Sequence, residues 1–305
     1  LEGGRDLDEM VSVLNMPTAL PDILSSDGTY VYMRSQRFHM DGTCGPIEQP
    51  AQPFDFAGLQ AGEDRHLFSP GGYLDDSYFH RLYWIYGRHY SAGCNWWFRA
   101  GRFTPSGRML VFDQDRVYGF GRKPEYFVWS PALEYHLFAA RKELDPEAVQ
   151  GVLDANRKME AEVKTAIFNR TLTKAAKLED ISALAFAWSI DEPPFQARAL
   201  ALADAHLFVA GPPDVLDEEE AVDKPHDPAI LAKAARQDAA LSGEEGGALW
   251  VVSARDGSRL AEYDLDSVPV WDGMAVAQGR VYLATLAGDV VCMSGAESRL
   301  ASASP

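Results

Sequence analysis

An all-β fold assembled from repeated antiparallel units is what this sequence predicts. Three observations carry it. A strand–turn–strand pattern recurs four times, aromatic residues fall in register across the copies, and the clearest unit has room for four strands.

The last copy is the sharpest. Met274-Ala275-Val276-Ala277 alternates, Gln278-Gly279 turns, and Arg280-Val281-Tyr282-Leu283-Ala284 alternates again, which is a hairpin signature. The same shape stands at 200–210, with Asp204-Ala205 at the turn, at 110–120, and at 24–34 around Ser26-Asp27-Gly28. Tyr32, Tyr118, Phe208 and Tyr282 coincide, as do Val31, Val117, Leu207 and Val281. Pro105 also aligns with Pro269, and Asp22 with Asp272. A reused unit whose apolar residues follow period two argues for sheets and against helical repeats.

The unit extends in both directions. Gly247 to Tyr263 reads as two strands around Asp256-Gly257, and Leu286-Ala287-Gly288-Asp289 leads into Val290-Val291-Cys292-Met293. Four-stranded units that each hold one copy of a motif are what β-propeller blades look like. The spacing between copies exceeds the roughly 40–45 residues of such a blade. Eroded blades and inserted segments together account for the excess. Four or five blades are visible, which leaves closure of a ring open and suggests that chain is missing before residue 1.

Over Ala248–Leu265 and Pro269–Met293 the chain resembles the PQQ-like (quinoprotein-like) β-propeller repeat. In that repeat an Asp/Thr-Gly turn strand is followed by a Pro, an Asp-Gly pair, and a Gly-x-Val-Tyr strand. Residues 20–38 and 107–127 resemble segments of large bacterial proteins that carry such propellers. The resemblance implies blades of four antiparallel strands and a place in the C-terminal part of a larger protein. It says little of chemistry, because one fold hosts many functions. Quinone-dependent members of this fold stack a planar quinone on Trp, bind calcium through oxygen ligands and use an Asp base, many with a disulfide between adjacent cysteines. This chain has no adjacent cysteines, and Tyr263 stands where a Trp is expected. It offers no recognisable Asp/Asn/Glu set for calcium. No quinone cofactor and no metal are therefore expected.

Two helical insertions interrupt the repeats, near 141–180 and 214–246. Asp145-Pro146-Glu147 opens the first as cap, first residue and first-turn acid. Val149, Val152, Leu153, Met159, Val163 and Ile167 follow at helical spacing, with Glu160 and Lys164 as an i,i+4 pair. Asp227-Pro228 opens the second, with Ile230, Leu231, Ala234, Ala235 and Leu241 as its apolar face and a stop at Gly243. The acidic run from Asp214 to Asp223 reads as a solvated loop.

Composition narrows the function classes. Of 305 residues, 28 are Lys or Arg and 45 are Asp or Glu, a net charge of −17. That charge argues against a general affinity for nucleic acid or anionic lipid. No stretch reaches the roughly 20 apolar residues of a membrane-spanning helix. Cys44, Cys94 and Cys292 are far apart and odd in number, so they read as separate, mostly buried thiols. No nucleotide-binding, hydrolase-elbow or zinc-protease motif is present.

One segment is chemically unusual. Residues 73–103 concentrate aromatics, guanidiniums, imidazoles and carboxylates. Asp75, Asp76, His80, Arg81 and Trp84 lie in its first half, and Arg88, His89, Asn95, Trp96 and Trp97 in its second. Aromatics with polar edges suit stacking on sugars, and Arg can fix a carboxylate or sulfate bidentately. The same residues also suit aromatic strands packed between sheets, with Asp75 or Asp76 pairing Arg81 or Arg88. Both readings stay open. The sequence thus points to a non-catalytic propeller in the periplasm or outside the cell, binding a protein or a glycan. A quinone-dependent dehydrogenase, or another enzyme with its site in the propeller mouth, is the alternative.

Overall fold

The computed structural model describes residues 24–33, 36–44, 66–69, 84–87, 103–124, 134–162 and 181–295. Among the described residues five small sheets follow one another in chain order. The first holds β1 (Leu24–Ser26), β2 (Tyr30–Met33) and β3 (Gln36–His39), and the second β4 (His66–Phe68), β5 (Trp84–Gly87) and β6 (Ser106–Gly107). The third holds β7 (Met109–Phe112), β8 (Arg116–Arg122), β9 (Tyr135–Arg141) and β10 (Phe186–Asp191). The fourth holds β11 (Ala199–Ala203), β12 (His206–Gly211), β13 (Gly247–Ser253) and β14 (Arg259–Leu265). The fifth holds β15 (Pro269–Ala277), β16 (Arg280–Thr285) and β17 (Val290–Ser294). In every sheet the strands lie side by side in chain order, joined as antiparallel ladders.

The four sequence copies are the four hairpins β1–β2, β7–β8, β11–β12 and β15–β16. Register is shared: Ser25 faces Tyr32, Ala201 faces Phe208, and Ala275 faces Tyr282. At the turns, Gln278 and Gly279 both take positive φ, 51° and 70°, as a tight hairpin with the right-handed strand twist requires.

The chain divides into two compact units. One comprises Leu1–Leu110 with Gln114–Ala187, the other Val111–Asp113 with Trp188–Pro305. In the first, Tyr86, Leu110, Val117, Phe138 and Ala140 form a buried cluster, flanked by Leu67, Trp84 and Phe186. The helix α1 (Pro146–Glu162) leaves after β9. Asp145 Oδ1 accepts from Glu147 N at 2.9 Å, as an N-terminal cap does. Val152 is fully buried beside Phe103 and Ala183. The outer part of this insertion, with Val163, Lys164 and Ile167, lies outside the described residues.

In the second unit, Ala199, Ala210, Leu249, Val281 and Leu283 form the buried seam of the fourth and fifth sheets, with Phe208, Met274 and Val276 against it. Between β12 and β13 the chain makes two helices, α2 (Glu218–Asp223) and α3 (Pro228–Leu241). The acidic run is therefore not all loop. Asp217 accepts from Glu220 N at 2.7 Å and starts a short helix there, with three carboxylates in its favourable first turn. Asp227 caps α3 as expected. Ile230 and Ala240 are buried, but Leu231 faces solvent, because the narrow inward stripe takes Gln237 in its place. The Gln237 amide accepts from Val215 N and Leu216 N and donates to Pro213 O, which satisfies a buried polar group and ties the helix to the segment that follows β12.

The cysteine expectation is corrected in part. Cys44 and Cys292 are both exposed; each sits where its sheet leaves a surface open, and no packing draws it inward. Cys94 lies outside the described residues.

Candidate functional site

The most heavily charged interior among the described residues lies at one end of the third sheet. Arg108 precedes β7, Arg122 ends β8, and Tyr135 begins β9. Arg122 and Tyr135 are direct cross-strand partners. That pairing puts the Arg122 guanidinium 4.1 Å above the Tyr135 ring centre. Phe120 lies two residues back on the same face of β8 and stacks on Tyr135 at 4.8 Å, as alternation along a strand demands. Arg108 arrives from the neighbouring strand, with Nη1 3.5 Å from the Tyr135 hydroxyl.

Backbones meet closely here, and glycines permit it. A Cβ on Gly107 would stand 2.5 Å from Phe120 O, and one on Gly121 would stand 2.7 Å from Ser106 O. Arg108 N donates to Phe120 O at 2.9 Å and closes the joint. The two arginines are 6% and 3% exposed. Lys123, Glu134 and His136 are buried close by in sequence, and His136 stacks on Phe138 at 4.7 Å. All five charged or titratable groups make further contacts. The guanidiniums of Arg108 and Arg122 keep their protons in proteins, so these two groups can hold and orient an anion but cannot themselves act as an acid or base. Among the described residues no set of three or more His, Cys, Asp or Glu could hold a metal ion.

The fourth sheet repeats the joint. Arg198 precedes β11, and its N donates to Ala210 O at 2.9 Å. Gly211 approaches Gln196 O more closely still, 1.9 Å from where a Cβ would be. Arg198 uses its guanidinium differently, donating from Nη2 to Leu241 O at 2.8 Å. That caps the last turn of α3 with a cation. In the fifth sheet the equivalent residue is Asp272. It takes φ 55° inside a strand, where β15 bulges between Pro269 and Met274. Its N donates to Arg198 O at 2.8 Å. Its side chain reaches solvent, yet protein crowds it enough that burial pushes its carboxyl above the ordinary carboxylate range. Asp22, its partner in the sequence alignment, lies outside the described residues.

A second polar group joins the first two sheets. Tyr32 stacks on His66 with ring centres 3.8 Å apart, and Ser25 Oγ donates to Leu67 O. Tyr32 Oη donates to Asp27 at 2.6 Å. Partial burial opposes ionisation of Asp27. Hydrogen bonds from Tyr32 and from the backbone of Tyr30 and Thr29 outweigh it and hold the carboxyl below its usual range.

Of the ten residues the sequence singles out, Trp84 alone is described. It is half-buried, faces Gly107 across the β5–β6 ladder, and packs on the Tyr86–Phe138 cluster. Asp75, Asp76, His80, Arg81, Arg88, His89, Asn95, Trp96 and Trp97 lie outside the described residues. Sequence reasoning passed over Arg108, Arg122 and Tyr135. Extending the alignment of the second and third copies by two residues upstream and one downstream would have matched Arg108 with Arg198 and Gly121 with Gly211.

Compared with family models, with curated proteins and with solved structures, the chain matches none.

Proposed function

We propose that the chain is a run of PQQ-like β-propeller blades that works as a non-catalytic, exported binding scaffold, and that its ligand is an acidic glycan. One observation carries the choice of ligand. Trp84, the described residue of the aromatic segment, faces Gly107, the residue before Arg108, whose guanidinium converges with that of Arg122 on Tyr135. Buried charges are screened less than surface ones. In a chain of net charge −17, the buried Arg108, Arg122 and Lys123 outnumber the one buried carboxylate, Glu134, at this end of the sheet, which supports an acidic over a neutral ligand. Aromatic residues of the kind concentrated in 73–103 stack on sugar rings.

The propeller reading draws on strand order within each sheet and on four hairpins at one repeat position. A quinone enzyme is disfavoured by the chain's chemistry, since Tyr263 replaces the expected Trp and no cysteines are adjacent.

The test is a glycan-binding panel spanning neutral, uronic and sulfated sugars, run on the wild type and on Arg122→Gln, Trp96→Ala and Trp97→Ala, with thermal melts alongside. Binding confined to acidic glycans, weakened in Arg122→Gln and lost in a Trp variant that still melts normally, is expected. Loss of about 3–5 kcal/mol in both Trp variants, with no glycan bound by the wild type, would return the segment to a packing role. Micromolar binding of pyrroloquinoline quinone with calcium, read by titration calorimetry, would favour the enzyme.

A further inference from the structure

Asp-Gly occurs four times in the chain, at 27–28, 41–42, 256–257 and 272–273. A glycine has no Cβ to shield its amide nitrogen, so in this pair a side-chain carboxyl has open access to the next backbone nitrogen. Three of the pairs are tied turns. Gly28, Gly42 and Gly257 take positive φ, and their N–H groups donate to Ser26 Oγ, His39 O and Ser253 O at 3.1, 2.8 and 2.9 Å. The carboxylates are tied as well. Asp27 accepts from Thr29 N at 2.8 Å, Asp41 from Thr43 N at 2.9 Å and Asp256 from Ser258 N at 3.1 Å, as aspartates in turns do. Hydrogen bonds from Thr43 and from Ser258 hold Asp41 and Asp256 below the usual carboxylate range. At Asp27 burial works the other way and is outweighed.

The fourth pair is built in reverse. Here the aspartate takes the positive φ, 55°, and the glycine does not. That backbone is costly for a residue with a Cβ. Gly273 is hemmed in by main chain: a Cβ there would stand 2.8 Å from Val270 O and 2.9 Å from Ala284 O. Among the described residues the Asp272 carboxyl accepts no hydrogen bond. Burial alone acts on it and favours its protonated form, yet the side chain still reaches solvent. A protonated carboxyl can lose its OH as water, whereas an ionised one has no such leaving group.

We infer that Asp272-Gly273 is a self-modification site, at which Asp272 isomerises to isoaspartate in the folded chain. Gly273 N bonds to Asp272 Cγ. The acid OH and the N–H proton depart as water, and a five-membered imide closes. Water then adds at the Asp272 main-chain carbonyl and breaks its bond to Gly273 N, so that the chain runs through Cγ. Addition at Cγ instead restores aspartate. No atom is gained or lost overall. The main chain lengthens by one methylene between two fixed points, Asp272 N on Arg198 O at 2.8 Å and Met274 facing Leu283. That slack releases the constraint on φ and loosens the seam of the fourth and fifth sheets.

The test ages the full wild-type chain for several days near neutral pH, folded and, in parallel, unfolded in urea. Peptide mapping with electron-transfer fragmentation then reads isoaspartate at each of the four pairs. In the folded sample position 272 should lead positions 27, 41 and 256 several-fold, with a cyclic-imide peptide, lighter by one water, at 272. In urea the four should draw level, because each is followed by glycine and the ties are gone. No lead at 272 in the folded chain would overturn the inference. So would a lead that persists unchanged in urea, which would place its cause in the neighbouring sequence and not in the fold.

Discussion

The third and fourth sheets share one backbone plan and fill it in opposite ways. In both, an arginine precedes the first strand and its N–H bonds the second strand. In both, a glycine ends that contact, at 121 and at 211. The cross-strand pair Gly119–Phe138 of the third sheet corresponds to Val209–Trp250 of the fourth. The third sheet fills its interior with rings and glycines, and the Phe138 ring lies in the space over Gly119. The fourth uses Ala199, Val209, Ala210 and Leu249, and Trp250 meets Phe195 edge-on at 5.0 Å. The arginines diverge with the loops. Where β12 runs into α2 and α3, a helix end reaches Arg198. Where β8 returns through Glu134 to β9, Tyr135 reaches Arg108. The repeat preserves the joint, and the excursion beyond it decides what the charge does.

The largest effect should come from crossing the two interiors. Phe138→Ala should lose about 3–5 kcal/mol of stability. Gly119→Val, which imports the side chain of Val209, would place its Cβ 2.4 Å from Leu110 and 2.6 Å from Phe138, and overpacking of that kind costs about 1–3 kcal/mol. If the ring and the glycine are one device, the double variant Gly119→Val/Phe138→Ala is more stable than the two single losses sum to, because the added valine fills the ring's cavity. Additive losses in urea unfolding would show that the positions are independent.

A smaller effect tests the shared joint. Gly121→Ala and Gly211→Ala each push a Cβ into a backbone carbonyl, so both should lower the urea midpoint, by about 1–3 kcal/mol. Gly211→Ala should be the worse, since its contact is the tighter, 1.9 Å against 2.7 Å. Neutral behaviour of either would deny that the joint is common to both sheets.

The smallest effect concerns the acid that replaces arginine in the fifth sheet. Burial raises the carboxyl of Asp272, so folding favours its protonated form. Its contribution to stability is fully present below the ordinary value of 3.8 and is lost as pH rises through the folded value. Asp272→Asn should therefore gain stability over the wild type as pH moves from 3 to 7. Any constant offset from the ease with which Asn adopts positive φ cancels in that comparison. A melting-temperature gap that stays flat across this range would mean the carboxyl is solvated.

Much of this was legible in the chain. The hairpins at 24–34, 110–120, 200–210 and 274–284 could be read because alternation and turn residues are local, and local pattern and local geometry agree. The caps Asp145 and Asp227 were legible for the same reason. Leu231 was not, because hydrophobicity alone does not say which side of a short helix the sheet will cover. The helix at Glu218–Asp223 was hidden by its charge, which suits a first turn as well as a solvated loop.

The sequence by itself determined the repeat, its turns and the pairing of the strands that each tight turn joins. Those properties depend on residues a few positions apart, whose backbone preferences and alternation act before any packing. Tertiary structure alone decided that Arg122 lies on Tyr135, that Arg198 closes a helix, and that Asp272 is crowded. Each depends on groups brought together from distant positions, where close backbone approach and the loss of water set the energy of a charge.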